Sequence, residues 1–157
     1  MAEMIQLLCE KQLPDILRIE HACFQPPWSE NQLTQALLNP RYRVFGVFRE
    51  ECSDQELLGF AVFSTLIDEA ELLQIGVDPR FQRQGLARSL ISHSFEILKQ
   101  EDTSRVMLEV RESNKSARVL YEVLGFQFDG IRKAYYPPLI QGEPKETAVL
   151  MSYEFPE

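Results

Sequence analysis

The chain has 157 residues and a mass of 18.2 kDa, a length that predicts one domain spanning 1–157 and burying roughly two-thirds of its unfolded surface. Apolar residues make up 45% and charged residues 25%, which excludes a wholly disordered chain, and there is no unbroken apolar run of about eighteen residues that would cross a membrane as a helix. The net charge of −8 lies entirely in residues 1–78, which hold 5 basic and 13 acidic groups, while residues 79–157 balance at 11 of each; this argues against a general nucleic-acid binder, which needs a basic face.

The first twenty residues carry Glu3, Glu10 and Asp15 and do not read as a secretory leader. Cys9, Cys23 and Cys52 are an odd set without metal-ligand spacing. They predict a cytoplasmic chain with no disulfide and no metal, the thiols serving as small buried fillers.

In chain order, residues 4–8 predict a first strand, and Leu13, Ile16, Leu17 and Ile19 a helix broken by Pro26-Pro27. Ser29 with Gln32 forms a capping box for a second helix that ends near Leu38, before Asn39-Pro40. Tyr42 to Phe48 and Leu57 to Leu66 predict a hairpin around a polar Glu50–Glu56 turn; Asp68-Glu69 predicts a tight turn and Glu71 to Val77 another strand. A long amphipathic helix carries Leu86, Leu90, Phe95 and Leu98. Val106 to Val110 reads as a buried-type strand, and Ser113 to Leu124 as a helix capped by Ser113 or Asn114 and stopped by Gly125. Phe126 to Ile131 and Thr147 to Phe155 close the fold as strands around a loop rich in Tyr and Pro. Helices separate some strands and not others, which predicts a mixed sheet in a single α/β domain. No apolar helix or strand is left over for an interface, so a monomer is expected.

Two constellations carry chemistry. The segment Asp78 to Arg88 joins a strand to the long helix. The first turn of a helix leaves N–H groups free and favours an anion. Gly85 and Ala87 let backbone approach a phosphate, and Arg80, Arg83 and Arg88 offer it cationic partners. The same residues would also serve as an ordinary surface helix start. In the second constellation, Glu109 places a carboxylate inside an apolar strand, where burial would raise its affinity for a proton; an ion pair with Arg111 or Arg132, or exposure at the strand end, would account for it equally. Asn114 and Tyr121 stand almost two helical turns apart on one face, roughly 10 Å, with Ala117 and Arg118 between them. The Tyr121 phenol can donate a proton or simply pack against the sheet. His21 and His93 have no partner at nucleophile or metal spacing.

Together these residues resemble the GNAT superfamily of acetyl-CoA-dependent N-acetyltransferases, whose Gln/Arg-x-x-Gly-x-Gly/Ala signature stands here as Gln82-Arg83-Gln84-Gly85-Leu86-Ala87. The segments Pro27–Glu30, Asp68–Ala70, Ile75–Pro79, Leu108–Arg111, Ser113-Asn114, Leu120–Phe126 and Tyr135–Pro137 are similar to the bacterial RimI-type ribosomal-protein-alanine N-acetyltransferases. That resemblance implies a mixed, mostly antiparallel sheet of about seven strands flanked by about four helices. It implies acetyl-CoA as co-substrate, held by Ile75, Gly76, Val77, Arg83, Gln84, Gly85, Leu86, Ala87, Arg88 and Asn114. It makes Glu109 the general base and Tyr121 the general acid, with Trp28, Glu69, Tyr135 and Tyr136 on the acceptor side. The implied acceptor is the N-terminal alanine of a basic small-subunit ribosomal protein, which Glu30, Asp68, Glu69 and Glu71 would attract. A small-molecule amine, a lysine side chain, or coenzyme sensing without turnover are the alternatives. At pH 7 about one α-amine in ten is neutral, against about one lysine in 2,500, so a single carboxylate suffices for the α-amine.

Overall fold

A computed structural model describes residues 3–51 and 54–157; Cys52 and the tip of the expected Glu50–Glu56 turn lie outside them. Among the described residues, seven strands form one sheet: β1 (Glu3–Leu7), β2 (Tyr42–Glu51), β3 (Asp54–Leu66), β4 (Glu69–Val77), β5 (Arg105–Arg111), β6 (Gln127–Tyr136) and β7 (Glu146–Glu154). Their order is β1-β2-β3-β4-β5-β7-β6, and every neighbouring pair is antiparallel except β4–β5. Among the described residues, four α-helices flank the sheet: α1 (Leu13–Cys23), α2 (Glu30–Leu38), α3 (Leu86–Gln100) and α4 (Lys115–Val123).

The helices form where the sequence provides ends for them. Ser29 Oγ accepts from the Gln32 N–H at 3.1 Å while Gln32 Oε1 accepts from the Ser29 N–H at 2.8 Å, closing the reciprocal box at the start of α2. Asn114, not Ser113, caps α4: its side-chain oxygen accepts from the Ala117 N–H at 3.3 Å. Each helical face then buries its apolar stripe. Ile16 and Ile19 of α1 and Leu33 and Ala36 of α2 pack on Val44, Phe48, Phe60 and Val62. On the other face of the sheet, Leu86, Leu90, Ile91, Phe95 and Leu98 of α3 pack on Phe45, Phe63, Leu72, Val106 and Leu108. Phe45 and Phe63 meet edge to face at 5.8 Å and are fully buried; truncating either to Ala costs about 3–5 kcal/mol.

Several boundaries differ from the sequence reading. β2 and β3 run on through Glu51 and Asp54, the backbone ladder continuing past Phe48 and Leu57 through Arg49↔Glu56, Glu50↔Gln55 and Glu51↔Asp54. The turn before β4 is Ile67-Asp68, with Ile67 at φ 58°, and Glu69 already belongs to the strand. β6 extends to Tyr136, so both tyrosines end a strand instead of riding in a loop. The cysteines are not all fillers: Cys9 is exposed and Cys23 half-buried.

Two irregularities of the sheet create room. Val62 faces Gln74 and Phe63 faces Leu72, so Leu73 is an extra residue in β4, a bulge that re-aims the side chains beyond it. The parallel ladder runs from Glu69↔Arg105 only to Leu72↔Leu108, although β4 continues to Val77 and β5 to Arg111. Past that point the two strands part.

Candidate active site

The gap between the strands opens into two adjoining cavities. One, of about 530 Å³, lies on the α3 side and is lined by Ile75, Gly76 and Val77 of β4, by Arg83, Gly85, Leu86, Ala87 and Arg88, and by Asn114, Ala117 and Tyr121. The other, of about 390 Å³, is lined by Phe24, Trp28, Leu73, Gln74, Glu109, Arg111 and Tyr136. Phe24, Ile75, Asn114, Ala117 and Tyr121 border both.

Backbone groups furnish the first cavity. The Asp78 N–H donates to the Leu58 carbonyl at 2.8 Å. Antiparallel alternation therefore turns the Val77 and Ile75 N–H groups away from β3, into the gap. The Val77 carbonyl is already taken, accepting from Gln82 Nε2 at 3.0 Å and from the Cys23 thiol at 3.2 Å. Gly76 leaves this spot uncrowded, since a Cβ would lie 3.1 Å from the Phe24 ring, which would have to give way, and 3.5 Å from Cys23 Sγ. Arg83 and Gly85 both have positive φ, 65° and 79°, a coil that aims consecutive N–H groups inward. The first α3 bond runs from the Ser89 N–H to the Gly85 carbonyl at 3.0 Å, which leaves the amides of Leu86, Ala87 and Arg88 facing the cavity without a helical partner. Gly85 meets its φ without strain, and no atom lies within 4 Å of where its Cβ would stand.

The charge balance of this turn departs from the sequence reading at Arg80. Its guanidinium is spent on Asp78 at 2.9 Å and Glu56 at 3.1 Å and does not line the cavity. Asp78 is buried, and its Oδ2 also accepts from Arg18 at 2.6 Å. The Arg80 hydrogen bonds first, then that of Arg18, hold its carboxyl far below the usual range. Asp78 thus anchors α1 to the start of the turn, while Arg83 and Arg88 remain as the cations lining the cavity.

Glu109 is not on the buried face of β5. Val106, Leu108 and Val110 face the α3 core, and Met107, Glu109 and Arg111 alternate onto the opposite face. The Glu109 side chain keeps 23% of its exposure and pairs with Arg132 Nη1 at 3.4 Å. Glu71, on the same face of β4, has its carboxyl raised by burial and by the Glu109 charge, against an opposing pull from Arg132. Tyr121 is 6% exposed, with its ring 5.6 Å from Phe126; burial, then the neighbouring Tyr136, pushes its phenol up to about 12. Tyr136 is likewise pushed up to about 12, by burial and then by Glu109. The Arg111 guanidinium lies 4.7 Å over the Tyr136 ring and donates to the Pro137 carbonyl at 2.8 Å.

The acetyltransferase (GNAT) family matches residues 13–126 of this sequence. The chain belongs to that family. A ribosomal protein bS18-alanine N-acetyltransferase from Haemophilus ducreyi (strain 35000HP / ATCC 700724) is 35% identical over 153 residues, covering 95% of this chain and 98% of its own. The crystal structure of the ribosomal-protein-S18-alanine N-acetyltransferase from Escherichia coli matches with a TM-score of 0.87 at 35% identity, over 98% of this chain and 94% of its own. Arabidopsis thaliana NAA60 in complex with acetyl-CoA has a TM-score of 0.84 over 98% of each chain; at 17% identity it shares the fold.

Within this GNAT chain, the residues expected around the co-substrate gather about one cavity, except Gln84, which does not line it. Glu109, Tyr121, Trp28 and Tyr136 meet at the other. Two residues expected on the acceptor side stand apart from it. Glu69 faces Arg105 at 3.5 Å, and Tyr135 lies edge-on to Tyr136 at 5.1 Å with Arg132 4.7 Å over its ring. Arg118 turns away to the Glu112 carbonyl at 2.9 Å, so the narrow face of α4 is formed by Asn114, Ala117 and Tyr121. Sequence reasoning missed Gln74 and Glu20. Glu20 in α1 is fully buried, and its carboxylate accepts from the Trp28 N–H at 2.8 Å and from Gln74 Nε2 at 2.7 Å. A charged residue at an inward helical position, in step with Ile16 and Ile19, was the available signal.

Proposed function

We propose that the chain acetylates the N-terminal alanine of ribosomal protein bS18, with acetyl-CoA as donor, within a single acyltransferase unit. The observation that carries the reading is the 35% identity, across nearly both full lengths, to an enzyme of that name. The cavities agree with it. The free amides of α3, with Arg83 and Arg88, fit a diphosphate; the inward N–H groups of Ile75 and Val77 fit an amide-bearing arm and a carbonyl oxygen. Acetyl-CoA supplies an activated thioester carbon; the remaining roles belong to the protein.

In this reading the α-amine enters between Trp28 and Tyr136 and attacks the thioester directly. The Glu109 carboxylate, directly or through one water, takes the proton the nitrogen sheds as its new bond forms. The Val77 N–H faces the oxygen on which negative charge grows. Tyr121, standing where the two cavities meet, gives its phenolic proton to the sulfur as the carbon–sulfur bond breaks, and is reprotonated from solvent. Arg132 holds the Glu109 carboxylate, and Tyr135 holds Arg132.

The test is acetylation of three acceptors by the purified chain: an Ala-starting peptide with the bS18 N-terminal sequence, a blocked peptide with one internal lysine, and a polyamine. Mass gain confined to the α-amine of the first supports the proposal. Preference for either of the others redirects it to side-chain or small-molecule chemistry, and coenzyme binding without product on all three makes the chain a sensor.

A further inference from the structure

Glu20 touches neither cavity, yet each hydrogen bond its side chain makes goes to a residue that lines the acceptor cavity. The segment that leaves α1, Phe24 to Trp28, contains Pro26 and Pro27, which have no N–H to give. The Trp28 N–H is therefore the first backbone donor after Gln25, and it goes to Glu20 Oε2 at 2.8 Å. The other arm reaches across to β4, where Gln74 Nε2 lies 3.0 Å from Oε1 and 2.7 Å from Oε2. Gln74 stands immediately after the bulged residue Leu73, where pairing with β3 resumes at Val62↔Gln74. A carboxylate with no exposed surface is expensive to keep unless its bonds are needed. A side chain that merely filled this space between Ile16, Ile19 and the sheet would be apolar. Because Gln74 gives its amide nitrogen to Glu20, its carbonyl oxygen faces away from the carboxylate, as an acceptor for an incoming N–H.

We propose that Glu20 is a positioning residue that sets the acceptor opening, by tying the Trp28 wall to the bulge of β4 and fixing which end of the Gln74 amide the acceptor meets. This rests on the proposed function for the identity of the acceptor but not for the tie itself. Trp28 is the chain's one tryptophan, so indole emission reads the tie without any substrate. Glu20→Met keeps the bulk and removes both acceptors. Its emission maximum should move to the red, the acceptor KM should rise about tenfold, and the acetyl-CoA KM should stay within twofold, about the scatter of such measurements. Glu20→Gln can again accept from the Trp28 N–H, so it should restore the parent emission and most of the acceptor KM.

An unshifted emission maximum in Glu20→Met overturns the tie, whichever acceptor the enzyme uses. A shifted maximum with unchanged acceptor KM, in a parent that acetylates the alanine peptide, overturns the role in acceptor positioning. A parent that acetylates a different amine sinks the functional reading alone, and the acceptor KM is then read on that amine. If Glu20→Met does not accumulate folded, Gln74→Met removes one arm. The same rise in acceptor KM is expected, and its absence overturns the proposal.

Discussion

Replacing Tyr121 with Phe removes one oxygen from a ring that is otherwise packed against Phe126 and 6% exposed. Tyr121 lines both cavities, and Phe keeps the ring and its packing, so the loss of stability should stay below about 1 kcal/mol. The catalytic loss is larger. With the phenol pushed up to about 12 by burial, only about one molecule in ten thousand is ionised at pH 8, and the proton is always available. A positioned acid contributes about 10²–10⁴ in rate, or roughly 2.7–5.4 kcal/mol of barrier. Turnover of Tyr121→Phe should therefore fall by that factor, followed as free thiol released from acetyl-CoA. The coenzyme Kd by calorimetry and the melting temperature should barely move. The parent should show no loss of rate from Tyr121 ionisation as pH rises to about 10. Turnover equal to the parent would remove Tyr121 from proton transfer and reduce it to a wall; a Kd weakened as much as turnover would make it a binding group.

Glu109→Gln should lower turnover at least about a hundredfold with coenzyme Kd unchanged by calorimetry; near-parent turnover would disqualify the carboxylate. Asp78 carries a carboxyl depressed by Arg80 and Arg18, so its contribution is fully present above the unfolded value near 4 and is lost as pH falls below it. Asp78→Asn should cost about 2 kcal/mol at pH 7 by chemical denaturation and should flatten the drop in stability between about pH 5 and 2; a parallel drop in both proteins would discredit the anchor. Gly85→Ala should cost about 1 kcal/mol through its φ of 79° and weaken coenzyme binding, since relieving that strain would shift the turn that presents the free amides; unaltered binding would place the diphosphate elsewhere. The initial rate on a basic acceptor peptide should fall with added salt if the acidic first half steers it, and a flat salt profile would end that idea.

What the sequence showed plainly was local. The Ser29–Gln32 box and the stop at Gly125 are short-range features that a few letters specify, and the letters narrow the cap of α4 to Ser113 or Asn114, of which the structure uses Asn114. The Gln82–Ala87 turn was legible as a pattern, a glycine and a small residue ahead of an apolar helix, which suits an anion and equally an ordinary surface helix start. Distant pairings were hidden. Arg80 looked like a phosphate ligand until the fold brought Glu56 beside it, 24 residues away in sequence. The letters around Glu109 left burial, an ion pair with Arg111 or Arg132, and exposure all open; strand alternation put it on the open face with Arg132. Gln74 is an unremarkable polar residue until a bulge and a helix 54 residues earlier give its amide a direction.

The parting of β4 from β5 places unsatisfied strand-edge groups in the middle of a sheet. An edge exposed at a rim invites another chain to zip onto it and is a route to aggregation. Here the opening is bordered by Phe24, Ala117 and Tyr121 instead of lying at a rim, and the proposed coenzyme is the guest that would lie in it. Such a guest repairs the torn seam while it stays, and the protein should resist amide exchange at Ile75 and Val77 in its company and yield there when it leaves.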